Sequence, residues 1–257
     1  MKTIVCFKLV PEEQDISVNA DRSLNLTTAA PKISQFDLNA IEAASELVAM
    51  AAGGEVVALS VGGEYLNNTK VRKDVLSRGP DSLALVVDEQ FHQISAYQTA
   101  QILSHSVLKI GFDVIICGDG SGDRYAQQVG MLLGEMLNLP TINAVSKIIS
   151  ATDGLLTVER TSEDEIEILE MPLPAVISVT TDINIPRIPT MKAILGAGKK
   201  PTTTYSREEI GLSALAELTC ISSIAAPEQT SRKNIIIEGD SEEQIATFIT
   251  HLKTALI

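Results

Sequence analysis

The stretch DVIICGDGSGDRYAQQVG, residues 113–130, predicts a buried β-strand, a glycine-rich turn and then a helix beginning near Arg124. The apolar run 114–117 is typical of a strand covered on both faces. Ligands of open α/β sheets bind where such strands end, and a helix start directs free N–H groups towards an anion. The stretch therefore predicts both an α/β fold and a binding site, whose backbone a ligand could approach closely at Gly118, Gly120 and Gly122.

Two acids in this turn, Asp119 and Asp123, would repel a phosphate if their carboxylates faced it. Two interpretations stay open. In the first, the backbone binds a phosphate, and the acids turn towards ribose hydroxyls or cap backbone groups. In the second, Asp123 is the N-cap of the helix and the glycines only close a tight turn. The turn matches neither GxxxxGK[ST] nor a GxGxxG at the first strand, so the sequence gives little support to a generic ATPase or dehydrogenase.

The alternation of strand and helix extends towards the N-terminus. Apolar runs predict strands at 3–10, 55–63 and 82–88, and helical periodicity predicts helices at 38–52, 66–78 and 95–110. Strands rich in Val, Ile and Leu that alternate with helices are typical of a parallel sheet covered on both faces. Right-handed crossovers then predict a doubly wound, mostly parallel, Rossmann-like α/β domain over residues 1–185.

The pattern changes after residue 144. Short strands joined by turns predict an antiparallel extension, at AVSKIISA (144–151), LLTVERT (155–161), EIEILEM (165–171) and PAVISVT (174–180). Prolines and glycines then predict an extended segment over 186–201 with little packing of its own. A final helix follows Asp240 or Ser241 as its N-cap. We assign residues 186–257 to a C-terminal arm and helix that contact another chain.

Composition and charge disfavour several classes of function. The chain has 33 acidic and 20 basic side chains and a net charge of −13, so we expect neither a nucleic acid nor an anionic membrane as partner. No apolar run suggests membrane insertion or a signal peptide, which predicts a cytoplasmic protein. The spacing of Cys6, Cys117 and Cys220 predicts no disulfide and no metal site. No serine or cysteine has a neighbouring candidate base, so no catalytic residue is expected.

The stretch VERTSEDEIEILEMPLPAVIS, residues 158–178, resembles the signature of electron transfer flavoprotein beta subunits. That signature combines an aliphatic residue, a base, an acidic cluster, a Glu before an aliphatic residue, and a Pro-x-aliphatic-aliphatic-small ending. Its positions are filled by Val158, Arg160, Glu163, Asp164, Glu165, Glu167, Leu169, Pro174, Val176, Ile177 and Ser178. The segments CFKLVPEEQD (6–15), KISQFDLNAIEAA (32–44), RKDVLSRGPDSL (72–83) and MKAILGAGKKP (191–201) follow the order of the same family. The sequences of these segments are most similar to those of the FixA/YdiQ-like branch of the family.

The resemblance implies a subunit that is non-catalytic by itself and forms a heterodimer with an alpha subunit. The heterodimer would shuttle electrons between flavin dehydrogenases, of the acyl-CoA type, and an acceptor. The alpha subunit would hold most of the redox FAD, and this chain would bury a structural AMP. Two alternatives stay open. A second FAD could replace AMP in an electron-bifurcating relative, or the chain could be an adenine-nucleotide-binding regulator that resembles universal stress proteins.

Carried over by position, the resemblance implies four cofactor-binding segments. They are Cys6; Ser34, Gln35, Phe36 and Asp37; Val61; and Gly118, Asp119, Gly120, Ser121, Gly122, Asp123, Arg124, Tyr125, Ala126, Gln127, Gln128 and Val129. An aromatic residue that reaches the flavin in some members falls at Glu13 here, which leaves Phe36 as the main flavin contact. The loop PRIPTMK, 186–192, lacks the leucine with which the family anchors acyl-CoA dehydrogenases. We expect Ile188, with Met191 beside it, to replace that anchor.

Overall fold

The computed structural model describes residues 1–152, 154–163, 165–216, 218–219, 221–228 and 233–256. Its strands are β1 (Lys2–Cys6), β2 (Leu9–Pro11), β3 (Ser17–Val18), β4 (Leu24–Asn25), β5 (Pro31–Ile33), β6 (Glu55–Gly62), β7 (Ser82–Val87), β8 (Val114–Gly118), β9 (Thr141–Thr152), β10 (Leu155–Thr161), β11 (Ile166–Pro172), β12 (Ala175–Val179) and β13 (Thr202–Tyr205). Its α-helices are α1 (Gln35–Met50), α2 (Thr69–Ser77), α3 (Ala96–Ile110), α4 (Val129–Leu137), α5 (Met191–Ala197) and α6 (Glu242–Ala255). Of the sequence features above, Asp164 and Cys220 lie outside the described residues.

Nine of the described strands form one sheet in the order β11-β10-β9-β12-β8-β1-β6-β7-β13. Strands β9, β10 and β11 pair antiparallel, and the other neighbours pair parallel. The predicted α/β fold with a mostly parallel sheet and an antiparallel extension is thus confirmed. The prediction that β12 also belongs to the antiparallel part is wrong. Its side chains are all buried, and the chain returns after the β10–β11 hairpin to place β12 between β9 and β8.

Helices cover both faces of the sheet, as a doubly wound fold requires. Apolar side chains of α1 and α2 pack on one face, and those of α3 and α4 pack on the other. Strand β1 contributes side chains to both faces of the sheet. Val5 packs with the side chains of α1 and α2, whereas Ile4 and Cys6 pack with those of α3 and α4. This double burial explains why its sequence is continuously apolar rather than alternating.

The strand order reverses beside β1. From β1 the chain moves outwards through β6 to β7, and it then returns to β8 on the other side of β1. In open α/β sheets a crevice forms at such a reversal, at the carboxyl ends of the two strands. The fold therefore places a crevice where Cys6 ends β1 and Gly118 ends β8.

The predicted strand 3–10 is interrupted after Cys6. Strand β2 leaves the main sheet and pairs antiparallel with β5. The strand is interrupted because the N–H of Lys8 donates to the Asp37 carboxylate at 2.7 Å and so points away from a sheet partner. The helix predicted at 66–78 begins later, at Thr69, because Asn68 caps it through its side chain.

The chain after residue 185 has two parts that differ in packing. The segment predicted as extended over 186–201 contains α5, since the Thr190 hydroxyl caps it, and β13 then forms the sheet edge beside β7. Ile210 and Leu212 are buried in the core. From residue 213 onwards the described residues are mostly exposed. Helix α6 begins after Ser241, as predicted, with a complete capping box but without one buried residue.

Candidate functional site

The structure brings the four predicted cofactor-binding segments together at the crevice beside β1. Cys6, Val61 and Val129 pack in or against one cluster of apolar side chains. The ring of Phe36, at the start of α1, lies 5.4 Å from the ring of Tyr125, centroid to centroid. A Cβ added to Gly118 would overlap Phe36 and Asp37, so the end of β8 and the start of α1 are in close contact.

Asp37 joins the end of β1 to the turn after β8. Its buried carboxylate accepts hydrogen bonds from the backbone N–H groups of Lys8 and Gly118. Burial raises the pKa of the Asp37 carboxyl to about 7, although these N–H groups oppose the shift. Asp37 is not the N-cap of α1, because Ser34 occupies that position.

Lys8 neutralises Asp123, one of the two acids in the glycine-rich turn. The Lys8 ammonium donates to both Asp123 carboxylate oxygens, at 2.7 and 2.6 Å. The Ser121 hydroxyl donates to the same carboxylate at 2.6 Å, and the Arg124 N–H donates at 2.9 Å. Burial would raise the pKa of Asp123, but the bonds from Lys8 and Ser121 outweigh that effect and lower it. Asp123 therefore stabilises the conformation of the turn.

Asp119, the second acid, is also engaged within the protein. Its side chain is buried and accepts hydrogen bonds from the Gln127 amide at 2.7 Å and from the Ala144 N–H at 3.2 Å. Its own N–H donates to the Val179 carbonyl at 2.9 Å. Asp119 thus ties the turn to the ends of β9 and β12, and its carboxylate is already held by two donors.

Helix α4 begins at Val129, so the predicted start near Arg124 is wrong. Tyr125 and Gln127 have φ values of 46° and 54°, in the left-handed region, which a right-handed helix does not tolerate. The interpretation of Asp123 as the N-cap is wrong for the same reason. Gln128 occupies the N-cap position, and its side chain makes no capping hydrogen bond. The first N–H groups of α4 consequently have no side-chain cap, which leaves them available to an anion.

Two glycines that the sequence analysis missed hold α4 close to the sheet. A Cβ on Gly130 would overlap the Ser178 hydroxyl, and a Cβ on Gly134 would overlap the Thr141 side chain. The helix start therefore lies directly beside the end of β12. The signal was present as a Gly-x-x-x-Gly pattern, which allows a helix to approach a neighbour closely. Lys8 was missed as well, although a lysine inside an apolar run was a visible signal.

The Ser34 hydroxyl is buried without a hydrogen-bond partner among the described residues. Its N–H donates to the Lys8 carbonyl at 3.0 Å, so Ser34 lies beside the same end of β1. An unsatisfied buried hydroxyl costs about 1–3 kcal/mol, which a bound polar ligand would recover. The partnerless hydroxyl, the uncapped helix start and the paired acids fit an anionic, hydroxyl-bearing ligand.

The family model described as electron transfer flavoprotein domain matches residues 24–210. The chain belongs to the electron transfer flavoprotein domain family. The matched range includes the turn, the signature stretch 158–178 and β13, and it ends at the buried Ile210. Proteins of this family are electron carriers that associate with a flavin in their complexes.

The remaining predicted residues of this electron transfer flavoprotein domain are exposed at the start of α1 and in the turn before α4. Tyr125 is about half exposed, and its ring covers Gly120 so closely that a Cβ there would overlap it. The Arg124 guanidinium turns away to the Ile94 carbonyl at 3.5 Å. Of the predicted residues not placed above, Gln35, Ala126 and Gln128 are exposed.

The described part of this electron transfer flavoprotein domain contains neither a membrane-spanning helix nor a metal-ligand cluster. None of the described helices is both long and apolar enough to cross a membrane. The same residues contain no cluster of three or more His, Cys, Asp or Glu side chains that could hold a metal ion. Glu13 forms an ion pair with Lys32.

Proposed function

We propose that this chain is the beta subunit of a heterodimeric electron transfer flavoprotein of the FixA/YdiQ-like branch. The heterodimer shuttles electrons between flavin dehydrogenases and an acceptor, and the alpha subunit holds most of the redox FAD. This chain is a carrier subunit without catalysis of its own. The family match and the signature stretch 158–178 support this role. We assign the complex to the cytoplasm, because the buried Cys6 and Cys117 are free thiols, which suits a reducing compartment.

We propose further that the crevice beside β1 binds AMP. The proposal is carried by one observation: the Ser34 hydroxyl, buried without a partner among the described residues, lies beside the end of β1, near a turn whose acids are already paired and a helix α4 that starts uncapped. The backbone of 118–122 and the start of α4 would bind the phosphate, and Ser34 would bond a polar group of the nucleotide. Cys6, Val61 and Val129 offer apolar surface for the base. The bound AMP supplies structure rather than redox chemistry, and FAD supplies the electron transfer.

Within the predicted arm 186–257, we place the proposed contact with the alpha subunit in the mostly exposed part after residue 213. Helix α6 exposes Ile245, Phe248, Ile249 and Leu252, each between 43% and 56% accessible. Their spacing of three and four places them on one helical face. Such a face is stabilised when a partner covers it, and the alpha subunit is the partner that the family role requires.

The proposed contact with an acyl-CoA-type dehydrogenase is the loop 186–192. Ile188 and Met191 are 90% and 72% exposed there. Few residues contribute most of the binding energy of a typical interface, and apolar anchors that fill a pocket are among them. Ile188 is the expected anchor, flanked by two prolines that restrict the backbone.

The nucleotide content of the purified alpha–beta complex tests these proposals. We expect mass spectrometry of the released nucleotides to give one AMP and one FAD per heterodimer. Two FAD per heterodimer would replace the AMP proposal by the bifurcating alternative. A chain that retains nucleotide but does not associate with the alpha subunit would instead indicate the regulator resembling universal stress proteins.

A further inference from the structure

The segment 185–195 exposes apolar side chains above a backbone that is firmly held. Ile185, Ile188, Met191 and Leu195 are each more than 70% exposed. An exposed apolar cluster of this kind marks an interaction surface in many proteins. Three sets of hydrogen bonds, one from Arg187 within the segment and two from residues that flank it, join this part of the chain to α1 and to the end of α2.

The first set joins Arg187 to Glu42, a residue of α1 that is only 8% exposed. The guanidinium donates to both Glu42 carboxylate oxygens, at 2.6 and 2.8 Å, and the Arg187 backbone N–H donates at 3.1 Å. Burial would raise the pKa of Glu42, but the bonds from Arg187 outweigh that effect and lower it. Two parallel guanidinium–carboxylate bonds fix orientation as well as distance.

The second set joins Asn39, one turn earlier on α1, to the chain just before Ile185. The Asn39 amide donates to the carbonyls of Thr181 and Asn184 at 3.1 and 2.8 Å. The Asn184 amide donates back to the Asn39 carbonyl at 3.1 Å. Asn39 is almost fully buried. Because the two residues bond reciprocally, neither can shift without loss of several hydrogen bonds.

The third set holds the other end of the segment. The Lys200 ammonium donates to the carbonyls of Leu76 and Pro80 at 2.8 and 2.6 Å, at the C-terminus of α2. A cation is favourable there, since the last carbonyls of a helix lack intrahelical partners. Strand β13 begins two residues later. The segment is therefore fastened on both sides, with its apolar side chains between the two attachments.

We propose that Asn39, Glu42 and Lys200 are positioning residues that hold the segment 185–195 in one conformation before a dehydrogenase docks. This inference rests on the proposed role of Ile188 as the docking anchor. A segment that is already ordered loses less conformational freedom on binding, so the same contacts give a higher affinity. Helix α1 carries the predicted cofactor-binding residues 35–37 as well as Asn39 and Glu42, two of the three positioning residues.

The test uses the alpha–beta complex with Glu42→Gln and Lys200→Met, and Lys199→Met as the matched control. Lys199 is the exposed neighbour of Lys200. Hydrogen–deuterium exchange of peptides covering 183–195 should become about tenfold faster in the first two variants and stay unchanged in the control. Exchange in β8 and the nucleotide content should not change, which separates local release of the segment from misfolding.

The second readout is electron transfer from the acyl-CoA dehydrogenase of the same organism, reduced by its acyl-CoA substrate. With the dehydrogenase concentration varied, KM should rise about three- to tenfold in Glu42→Gln and Lys200→Met while kcat stays constant. Ile188→Ala should raise KM without changing the exchange of 183–195.

The outcomes separate this inference from the proposed function. Unchanged exchange in both positioning variants, together with a raised KM in Ile188→Ala, overturns the positioning role alone. Faster exchange with an unchanged KM in those variants also overturns it, because order would then not aid docking. An unchanged KM in Ile188→Ala overturns the proposed docking surface itself, and the positioning role with it.

Discussion

The turn 119–128 and the helix α6 differ in what holds them in place. The turn is irregular, yet Asp119 and Asp123 receive hydrogen bonds from distant residues such as Ala144 and Lys8. Helix α6 is regular and locally well capped by Ser241, yet none of its residues is buried. In this chain, therefore, a segment can have regular secondary structure without tertiary contacts, and an irregular segment can be held in place by tertiary contacts. Long-range bonds determine the crevice, whereas local propensity alone determines α6.

The largest expected effect is the loss of nucleotide from the alpha–beta complex in Gly120→Glu. A Cβ at Gly120 would overlap the Tyr125 ring, and the added charge would repel a phosphate at the same turn. We expect nucleotide retention to fall below detection by mass spectrometry. Gly196→Glu is the control, since a Cβ there meets no atom within 4 Å. Stoichiometric AMP in Gly120→Glu would place the nucleotide site elsewhere.

A matched pair of leucines compares packing in α4 and α6 directly. Leu133 is fully buried and Leu252 is 45% exposed. We expect Leu133→Ala to lower the free energy of unfolding by about 2–5 kcal/mol, as measured by urea denaturation of the isolated chain. Leu252→Ala should change it by less than about 0.5 kcal/mol. Equal losses in the two variants would mean that α6 packs on the domain after all.

The Asp37 carboxyl should make the stability of the domain depend on pH. Its pKa is raised from 3.8 to about 7 in the folded state, so the folded chain binds more protons than the unfolded chain between these values. The resulting stabilisation is present at low pH and is lost as the pH rises through about 7. Asp37→Asn should therefore flatten the fall in unfolding free energy over this range. An unchanged pH profile in urea titrations would show that Asp37 is not the responsible group.

The smallest expected effect concerns two buried hydroxyls without a partner among the described residues, those of Ser34 and Thr3. Ser34 lies at the crevice, and Thr3 lies near the amino end of β1, away from it. We expect Ser34→Ala to weaken AMP binding about tenfold, which corresponds to roughly 1.4 kcal/mol. Thr3→Val should leave AMP affinity unchanged in isothermal titration of the nucleotide-stripped complex. Equal affinity in both variants would mean that Ser34 does not contact the nucleotide.

The amino-acid sequence by itself determined the alternation of strands and helices and the antiparallel hairpin. Continuous apolar runs such as 114–117 specify buried strands because both of their faces must be covered. Local chemistry was also sufficient for the cap of α6, since the Ser241 side chain reaches only three residues along the chain. The glycine-rich turn was recognisable for the same reason, as a pattern of neighbouring residues.

Only the tertiary structure decided what each polar residue of the crevice does. Lys8 and Asp123 are 115 positions apart, and no local pattern could pair them or move the start of α4 to Val129. The pairing of Arg187 with Glu42 and the capping of α2 by Lys200 likewise join residues that are distant in the sequence. The physical reason is that helix periodicity and caps arise within a few residues. Charge pairing and burial arise only after the sheet has brought distant segments together.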